Sequence, residues 1–149
     1  MTTTTHASAV LIGARAALIR GPSGAGKSRL ALGLIQAQAQ GLLPFARLVA
    51  DDRAVLETYN GCLLVRPAPP LAGLIEVRGL GIRQLAFEPV AVVGLVVDLS
   101  AADAERLPAA EAGQTAISGV LLPRLAVAAG ADPLPLILAH LTSNPMTRG

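Results

Sequence analysis

The chain has 149 residues, 52% of them hydrophobic, a size and composition typical of one globular domain with a substantial core. Its net charge of +2 includes twelve basic residues, and its eleven arginines are scattered rather than gathered into a basic stripe. Aromatic residues, which stack on nucleic-acid bases, make up only 2% of the chain. We therefore expect no nucleic-acid partner.

The hydropathy pattern also argues against a membrane protein. The longest smooth apolar stretch, Val90–Val97, is too short to span a bilayer. Residues Met1–Thr5 show no basic region followed by an apolar one, so no secretory signal is recognised there. The single Cys62 cannot form an internal disulfide. We expect a cytoplasmic protein with no membrane partner.

The first elements in chain order are two strands, a loop and a helix. The apolar runs Val10–Ile12 and Ala16–Ile19 predict strands joined by a tight turn. A glycine-rich loop follows the second strand. After that loop, Ser28–Gln40 has leucines near helical spacing and ends before Gly41, a pattern that predicts a helix.

Strands dominate the middle of the chain. Arg47–Ala50 predicts a short strand, and Val55–Tyr59 and Cys62–Val65 flank Asn60-Gly61, which is a strong hairpin signal. The three prolines within residues 66–70 predict an extended loop.

The last third of the chain mixes strands and helices. Val92–Leu99 predicts a buried strand, and Gly119–Val127 predicts a strand pair or an edge strand. Ala101–Ala112 predicts a short helix interrupted near Pro108, and Pro133–Leu141 predicts a closing helix. One early helix combined with several hairpin-like strands predicts a single α/β domain over residues 1–149 with a mixed sheet.

The loop between the second predicted strand and the first predicted helix carries the clearest chemical signal. It matches the P-loop pattern G-x-x-x-x-G-K-[ST] through Gly21, Pro22, Ser23, Gly24, Ala25, Gly26, Lys27 and Ser28. In such a loop, backbone N–H groups hold phosphates, Lys27 reaches the β and γ groups, and Ser28 ligates Mg²⁺. Lys27 is the only lysine of the chain, which indicates a need for a compact ammonium. We predict a nucleotide site here, with a helix-capping glycine turn as the alternative.

Two adjacent acids, Asp51 and Asp52, follow the strand Arg47–Ala50 directly. Successive side chains of an extended segment face opposite sides, so one carboxylate can face the phosphates while the other hydrogen-bonds to the scaffold. A solvated acidic turn is the alternative, because aspartate is a common turn residue.

Two further sites draw less support from the residues alone. Glu76 and Arg78 adjoin Gly79 and Gly81, an arrangement that predicts a ligand-binding loop because glycine permits close backbone approach. His6 lies in a threonine-rich N-terminus and by itself indicates only a tail residue.

Taken together, Gly21–Ser28, Leu48–Asp52 and Ile75–Ile82 resemble, in residues and in order, the catalytic domain of HPr kinase/phosphorylase. That family phosphorylates a serine of the bacterial phosphocarrier protein HPr. The resemblance runs from about His6 to Leu141. It implies an HPr kinase-like P-loop domain, ATP as phosphate donor, Mg²⁺ as cofactor, HPr as protein partner, and a homo-oligomer, specifically a hexamer.

The resemblance also implies roles for individual residues. His6 lies 21 residues before Lys27, as the family's histidine does ahead of its nucleotide site. Asp52 corresponds to the proton acceptor from the substrate serine. The implied catalytic residues are His6, Lys27, Asp52 and Arg106. The implied Mg²⁺ ligands are Ser28 and Glu76, and the signature loop contains Glu76, Arg78, Gly79 and Gly81.

The chain departs from the family pattern in several places. It starts almost at the catalytic core, where longer members carry a separate N-terminal domain, so we expect a minimal form. Arg29 stands where many members have glutamate, and the connection from the first helix to Asp51 is several residues longer. The family's Pro-x-Arg-Pro-Gly-Arg segment, associated with phosphorolysis, appears here as Val127–Asp132 without arginine.

These features favour an ATP-dependent serine kinase acting on HPr, with phosphorolysis in doubt. Arg124 is a candidate substitute for the missing arginines, and the alternative is that another arginine, such as Arg83, fills that role in a neighbouring subunit. Two alternatives stay open at this point. One is a P-loop kinase of small molecules, and the other is a nucleotide-sensing module without turnover.

Overall fold

The computed structural model describes residues 2–146, which form eleven strands and two α-helices. The strands are β1 (Thr2–Thr5), β2 (Ser8–Ile12), β3 (Arg15–Arg20), β4 (Ala46–Ala50), β5 (Ala54–Tyr59), β6 (Cys62–Pro67), β7 (Leu74–Val77), β8 (Gly81–Gln84), β9 (Ala91–Leu99), β10 (Gln114–Ile117) and β11 (Val120–Val127). The helices are α1 (Lys27–Ala39) and α2 (Pro133–Thr142). In this described range, neither helix is long and apolar enough to cross a membrane.

The strand β9 is the centre of a nine-stranded mixed sheet. It pairs in parallel with β3 on one side and with β11 on the other, while its first residues pair antiparallel with β6. The strand order is β1-β5-β6-β9-β3-β2-β4, and β10 extends the sheet beyond β11. The strands β7 and β8 form a separate two-stranded sheet. The predicted α/β class with a mixed sheet is confirmed.

Four strands end at the same edge of the large sheet. The strands β3, β9 and β11 are parallel, and β2 is antiparallel to both β3 and β4, so β4 runs in the direction of β3. The loops that follow these four strands therefore emerge together. We call this edge the carboxyl edge. Open α/β sheets characteristically bind ligands there.

The core has one apolar cluster on each face of the sheet. Along β3, Leu18 and Ile19 are both fully buried but belong to opposite clusters, as the alternation of side chains along a strand requires. The cluster containing Ile19 also includes Leu34 of α1 and Ile137 of α2. Both helices therefore cover the same face, and α1 is held close to the carboxyl edge of β3.

The predictions for the first helix and the hairpin are confirmed. Helix α1 ends at Ala39, and Gly41, two residues later, has φ +79° and donates its N–H to the Gln38 carbonyl at 3.0 Å. The turn between β5 and β6 has positive φ at Asn60 (+49°) and at Gly61 (+77°), as a two-residue hairpin loop requires. The later helix also forms, as α2.

Three local predictions are wrong. Ala101–Ala112 is a loop of turns that leads into a 3-10 helix at Ala110–Gly113, because side-chain bonds to Arg124 hold the segment instead of helical ones. The strand β6 continues into the proline-rich segment as far as Pro67. Residues Thr2–Thr5 are a strand paired with β5 rather than a tail, since threonine suits a sheet edge.

Candidate active site

The P-loop Gly21–Ser28 joins β3 to α1 at the carboxyl edge. Gly24 and Gly26 have φ of +81° and +101°, a region that glycine enters without the penalty a side chain would bring. Gly26 is the N-cap of α1 and offers no side chain to the first N–H groups of the helix. These N–H groups point out of the helix end, where an anion satisfies them best.

Gly21 fixes how closely the P-loop approaches the neighbouring strand. A Cβ atom at Gly21 would lie 3.1 Å from the Cβ of Leu99 and 3.2 Å from its carbonyl oxygen. Leu99 is the last residue of β9, so only glycine lets the loop pass the end of that strand without a shift of backbone. The P-loop and the loop after β9 are therefore direct neighbours.

The Lys27 side chain folds back over the P-loop. Its Nζ donates to the carbonyl oxygens of Gly21 at 2.8 Å and of Pro22 at 3.2 Å. The ammonium thus lies against the first two residues of the loop that would surround a phosphate. A compact cation with three donors fits this position better than a planar guanidinium.

The Asp51 carboxylate accepts hydrogen bonds from three separate parts of the chain. It is 5% exposed, and its Oδ1 accepts hydrogen bonds from the hydroxyls of Ser28 at 2.6 Å and Ser8 at 2.8 Å. Its Oδ2 accepts from the backbone N–H of Glu76 at 3.2 Å. The carboxylate therefore links β2, the first turn of α1 and β7, and it lies directly beside the P-loop serine.

Asp52 follows with a different environment. Its side chain is exposed, its φ of +66° lies in the left-handed region, and its N–H donates to the Ser8 hydroxyl at 3.2 Å. A non-glycine residue in that region is uncommon and is held there by its surroundings. The two carboxylates thus separate into one buried and one exposed group.

The signature segment forms the hairpin of β7 and β8 rather than an open loop. Glu76 and Arg78 are exposed on β7 and on the turn, and Gly79 and Gly81 have φ of +92° and +94°. The Glu76 N–H bond to Asp51 attaches this hairpin to the P-loop region. The structure therefore brings Ser28 and the backbone of Glu76 onto one carboxylate.

His6 also lies near this cluster. It joins β1 to β2, two residues before Ser8, and its neighbour Thr5 is paired with Ala54 of β5. Since β5 begins two residues after Asp52, this pairing brings the exposed His6 to the same end of the sheet as the two acids. The histidine is part of the carboxyl edge and not of a tail.

Arg106 lies on the loop after β9, which the sequence predicted to be a helix. The residue is exposed and lines a cavity of about 610 Å³ together with Val127, Asp132 and Leu136. This cavity lies between that loop and the start of α2. Because β3, β9 and β11 are parallel, Arg106 and the altered segment Val127–Asp132 emerge at the same edge as the P-loop.

A network of charges holds the Arg106 loop in place. Asp98 of β9 accepts two hydrogen bonds from Arg20 at 2.7 and 2.8 Å and one from Arg124 Nε at 2.6 Å. Arg124 also donates to both oxygens of Asp103, at 2.8 and 2.9 Å, and to the Ala112 carbonyl at 3.1 Å. All three nitrogens of Arg124 are engaged, so it is not a free substitute for the missing phosphorolysis arginines.

This network shifts the pKa values of Asp98, Asp103 and Arg124. Burial alone would raise the pKa of Asp98, but the hydrogen bonds from Arg20 and Arg124 outweigh it and hold that pKa below the usual range. The hydrogen bonds from Arg124 likewise lower the pKa of the Asp103 carboxyl. Hydrogen bonds to Asp103 and Asp98 raise the pKa of the Arg124 guanidinium. These groups are therefore charged at neutral pH.

No group of three or more His, Cys, Asp or Glu within residues 2–146 could hold a metal by itself. The oxygen donors near Ser28 are nevertheless of the type that Mg²⁺ prefers, and Mg²⁺ in nucleotide sites takes much of its coordination from phosphates and water. The residues present therefore fit a metal that arrives with a nucleotide.

The site residue that sequence reasoning missed is Ser8, which hydrogen-bonds to the buried Asp51. Ser8 stands between Ala7 and Ala9 in an otherwise apolar run, and a polar residue in such a run needs a buried partner. That signal was available in the sequence, although the identity of the partner was not.

Comparison with known proteins places this arrangement in a family. The family model described as the HPr Serine kinase C-terminal domain matches residues 1–132. The chain belongs to this family. The structure of the Hpr(Ser) kinase/phosphatase from Coxiella burnetii is 27% identical, with a TM-score of 0.71, and the match covers 93% of this chain and 87% of that one. The HPr kinase fold is thus common to both.

Two curated relatives of this HPr kinase domain carry the name HPr kinase/phosphorylase. The protein of Lacticaseibacillus casei strain BL23 is 46% identical over 66 residues, which are 44% of this chain and 18% of the relative. The protein of Geobacillus thermodenitrificans is 35% identical over 113 residues, which are 70% of this chain and 34% of the relative. The chain therefore spans about a third or less of the length of these relatives.

Proposed function

We propose that this HPr kinase domain binds ATP through the P-loop Gly21–Ser28. The proposal is supported by the uncapped N-terminus of α1, the positive φ of Gly24 and Gly26, and the hydrogen bonds from Lys27 Nζ to two carbonyls of the loop. Backbone N–H groups hold the phosphates, and the Lys27 ammonium leaves the loop carbonyls for the β- and γ-phosphates. The loop reads phosphates rather than the base.

Ser28 and Glu76 are the proposed ligands of Mg²⁺. The metal would neutralise charge on the β- and γ-phosphate oxygens. The support is the 2.6 Å bond from the Ser28 hydroxyl to Asp51, because the same carboxylate also accepts the N–H of Glu76. Asp51 thereby holds both ligand-bearing segments together.

The proposed reaction is transfer of the γ-phosphoryl group to a serine hydroxyl of HPr. The serine oxygen forms a bond to the γ-phosphorus, the bond from that phosphorus to the bridging oxygen breaks, and ADP leaves. Asp52 accepts the hydroxyl proton, since its side chain is exposed and a protein substrate can reach it. Asp51, the buried neighbour, is the competing carboxylate for this role.

Lys27 and Arg106 stabilise the charge of the moving phosphoryl group. Arg106 lies on the loop that adjoins the P-loop at Leu99 and Gly21, which supports this role. His6 is proposed as a further catalytic residue, because it lies at the same end of the sheet as Asp51 and Asp52. Arg78, Gly79 and Gly81 complete the proposed signature region.

Membership of the HPr kinase family is the observation that carries the choice of HPr as the substrate. A homo-oligomer, specifically a hexamer, and a cytoplasmic location are part of the same proposal. Phosphorolysis of phosphoserine-HPr is proposed to be weak, because Val127–Asp132 has no arginine and Arg124 is bound to Asp98 and Asp103.

One incubation separates this proposal from its two alternatives. The protein is mixed with labelled ATP, Mg²⁺ and purified HPr, and label on HPr and consumption of ATP are followed. Label on a serine of HPr supports the kinase. ATP binding without turnover would indicate a nucleotide-sensing module. Transfer to a small-molecule acceptor, with HPr left unlabelled, would indicate a kinase of small molecules.

A further inference from the structure

Ser8 and Asp51 are the only buried polar or charged residues in the part of the chain that the structure describes. Ser8 is fully buried at the start of β2, and its hydroxyl donates to Asp51 Oδ1 at 2.8 Å. The same oxygen of Asp51 accepts the hydroxyl of Ser28 at 2.6 Å. Ser8 is therefore linked to the P-loop residue Ser28 through a single carboxylate oxygen, although 20 positions separate the two serines in the sequence.

The Ser8 hydroxyl has two bonds with different consequences. A hydroxyl has one hydrogen to donate and lone pairs that accept. Ser8 uses its hydrogen on the Asp51 carboxylate and accepts the N–H of Asp52 at 3.2 Å. Asp52 is one of the few non-glycine residues with positive φ, so its conformation depends on bonds such as this one.

We propose that Ser8 is a positioning residue that sets the geometry of both acids, the buried carboxylate of Asp51 and the backbone turn that aims Asp52. This inference rests on the proposed kinase function of the site. Ser8 does not touch ATP or the substrate in this account. It acts through Asp51 and Asp52, and its loss disturbs the step that depends on their placement.

A purely structural role would have a different signature. Loss of the Ser8 hydroxyl removes one bond to Asp51 and leaves the backbone N–H of Asp52 without that partner. The Asp51 carboxylate keeps its bonds from the Ser28 hydroxyl and the Glu76 N–H, and Lys27 keeps its bonds within the P-loop, so the nucleotide site is retained. We therefore expect kcat to fall while KM for Mg·ATP stays nearly constant. A general loss of core packing would instead lower the amount of folded protein without separating the two constants.

The test compares Ser8→Ala with Ser8→Thr and with Val10→Ala. Ser8→Thr keeps the hydroxyl, so it should restore activity. Val10 lies two residues after Ser8, on the same face of β2, and is fully buried. Its side chain makes no polar contact, so Val10→Ala controls for lost core packing. Steady-state transfer to HPr is measured for the folded fraction of each variant. Amide hydrogen exchange at Asp52 is measured by NMR in the same samples.

For Ser8→Ala we expect kcat to fall about tenfold or more, KM for Mg·ATP to stay within about twofold, and the Asp52 amide to exchange faster. Ser8→Thr and Val10→Ala should keep a kcat close to that of the parent protein. A parent-like kcat in folded Ser8→Ala would overturn the inference. If the parent protein transfers no phosphate, the proposed function fails, and unchanged Asp52 exchange in Ser8→Ala would then overturn the positioning role separately.

Discussion

At the scale of single residues, the site depends on a few side chains that the fold places with little freedom. Lys27 Nζ lies on two loop carbonyls, and Ser28 Oγ lies 2.6 Å from a buried carboxylate. Both side chains are partly open to solvent, so neither is part of the buried core. Substitutions here should therefore alter the chemistry more than the stability.

Lys27→Arg should lower phosphoryl transfer by about 100-fold or more without changing the melting temperature. The planar guanidinium does not fit the backbone ring that holds the ammonium, so its charge is misplaced in the transition state. The matched control is Arg29→Lys, an exposed basic residue two positions further along α1. Near-parental transfer by Lys27→Arg would show that Lys27 is not catalytic.

Asp52→Asn should lower the transfer rate by about 100-fold while leaving nucleotide affinity nearly unchanged, because it removes a base without changing shape. Asp51→Asn should behave differently. It weakens the link to Ser28 and should reduce the affinity for Mg·ATP. Calorimetric titration with Mg·ADP and steady-state transfer are measured for both variants. The opposite result would assign the role of proton acceptor to Asp51. In that case Asp52→Asn is fully active, while Asp51→Asn is inactive but binds Mg·ADP as tightly as the parent protein.

At the scale of elements, the sequence predicted the parts whose signals are local. The P-loop, α1 and the β5–β6 hairpin each follow from a motif, a cap or a turn dipeptide close by in the chain. The Arg106 segment could not be predicted in this way. Its conformation depends on Arg124, a residue of a strand that lies about twenty positions later, and apolar alanines there imitate a helix.

The residues of the candidate site also differ in whether local sequence patterns predict them. Lys27, Ser28 and the acids of residues 51–52 follow from sequence patterns, and the resemblance added His6, Glu76 and Arg106. The link through Ser8 could not be predicted, because it depends on which strand neighbours β4. Pairing of β2 with β4 is a long-range event that leaves no periodic signal in either strand.

The Arg124 network predicts a pH dependence of stability. Asp98 and Asp103 have pKa values below their usual range in the folded protein. A carboxyl with a lowered folded pKa stabilises the protein above its unfolded pKa, near pH 4, and this contribution is lost as the pH falls through the folded value. The free energy of unfolding should therefore decline below about pH 4, and the decline should be shallower in Asp103→Asn.

Urea unfolding at a series of pH values measures this dependence. Arg124→Met serves as the second variant. It should lower the free energy of unfolding by about 2–4 kcal/mol at neutral pH, since Asp98 would lose a largely buried partner. If the free energy of unfolding declines equally steeply below about pH 4 in Asp103→Asn and in the parent protein, the bonds from Arg124 to Asp103 do not contribute to stability.

At the scale of the whole molecule, four loops meet at the carboxyl edge, and their charges decide whether the site favours phosphorylation or phosphorolysis. The edge carries the P-loop, the two acids, the Arg106 loop and the arginine-free segment Val127–Asp132. Asp132, the last residue of that segment, caps α2 and accepts a hydrogen bond from the N–H of Leu134 at 3.1 Å. The cations available for a second phosphate are therefore fewer than in the family pattern.

The forward reaction should be much faster than phosphorolysis. Phosphorolysis brings inorganic phosphate to an anionic phosphoserine, and the repulsion between the two requires extra cations in the site. Pyrophosphate release from phosphoserine-HPr is compared with serine phosphorylation in one preparation. Comparable rates would contradict this expectation. The control Arg124→Ala should lower both directions together, because it loosens the Arg106 loop rather than removing a phosphate ligand.

We propose above that the residues at the carboxyl edge transfer the γ-phosphoryl group of ATP to a serine of HPr. Tandem mass spectrometry of HPr after incubation with Mg·ATP and the parent protein tests it most directly, with Lys27→Arg as the parallel sample. We expect one phosphoserine in HPr with the parent protein and almost none with the Lys27→Arg variant. HPr left unmodified by folded protein that binds Mg·ATP, or modified equally by both samples, would contradict it.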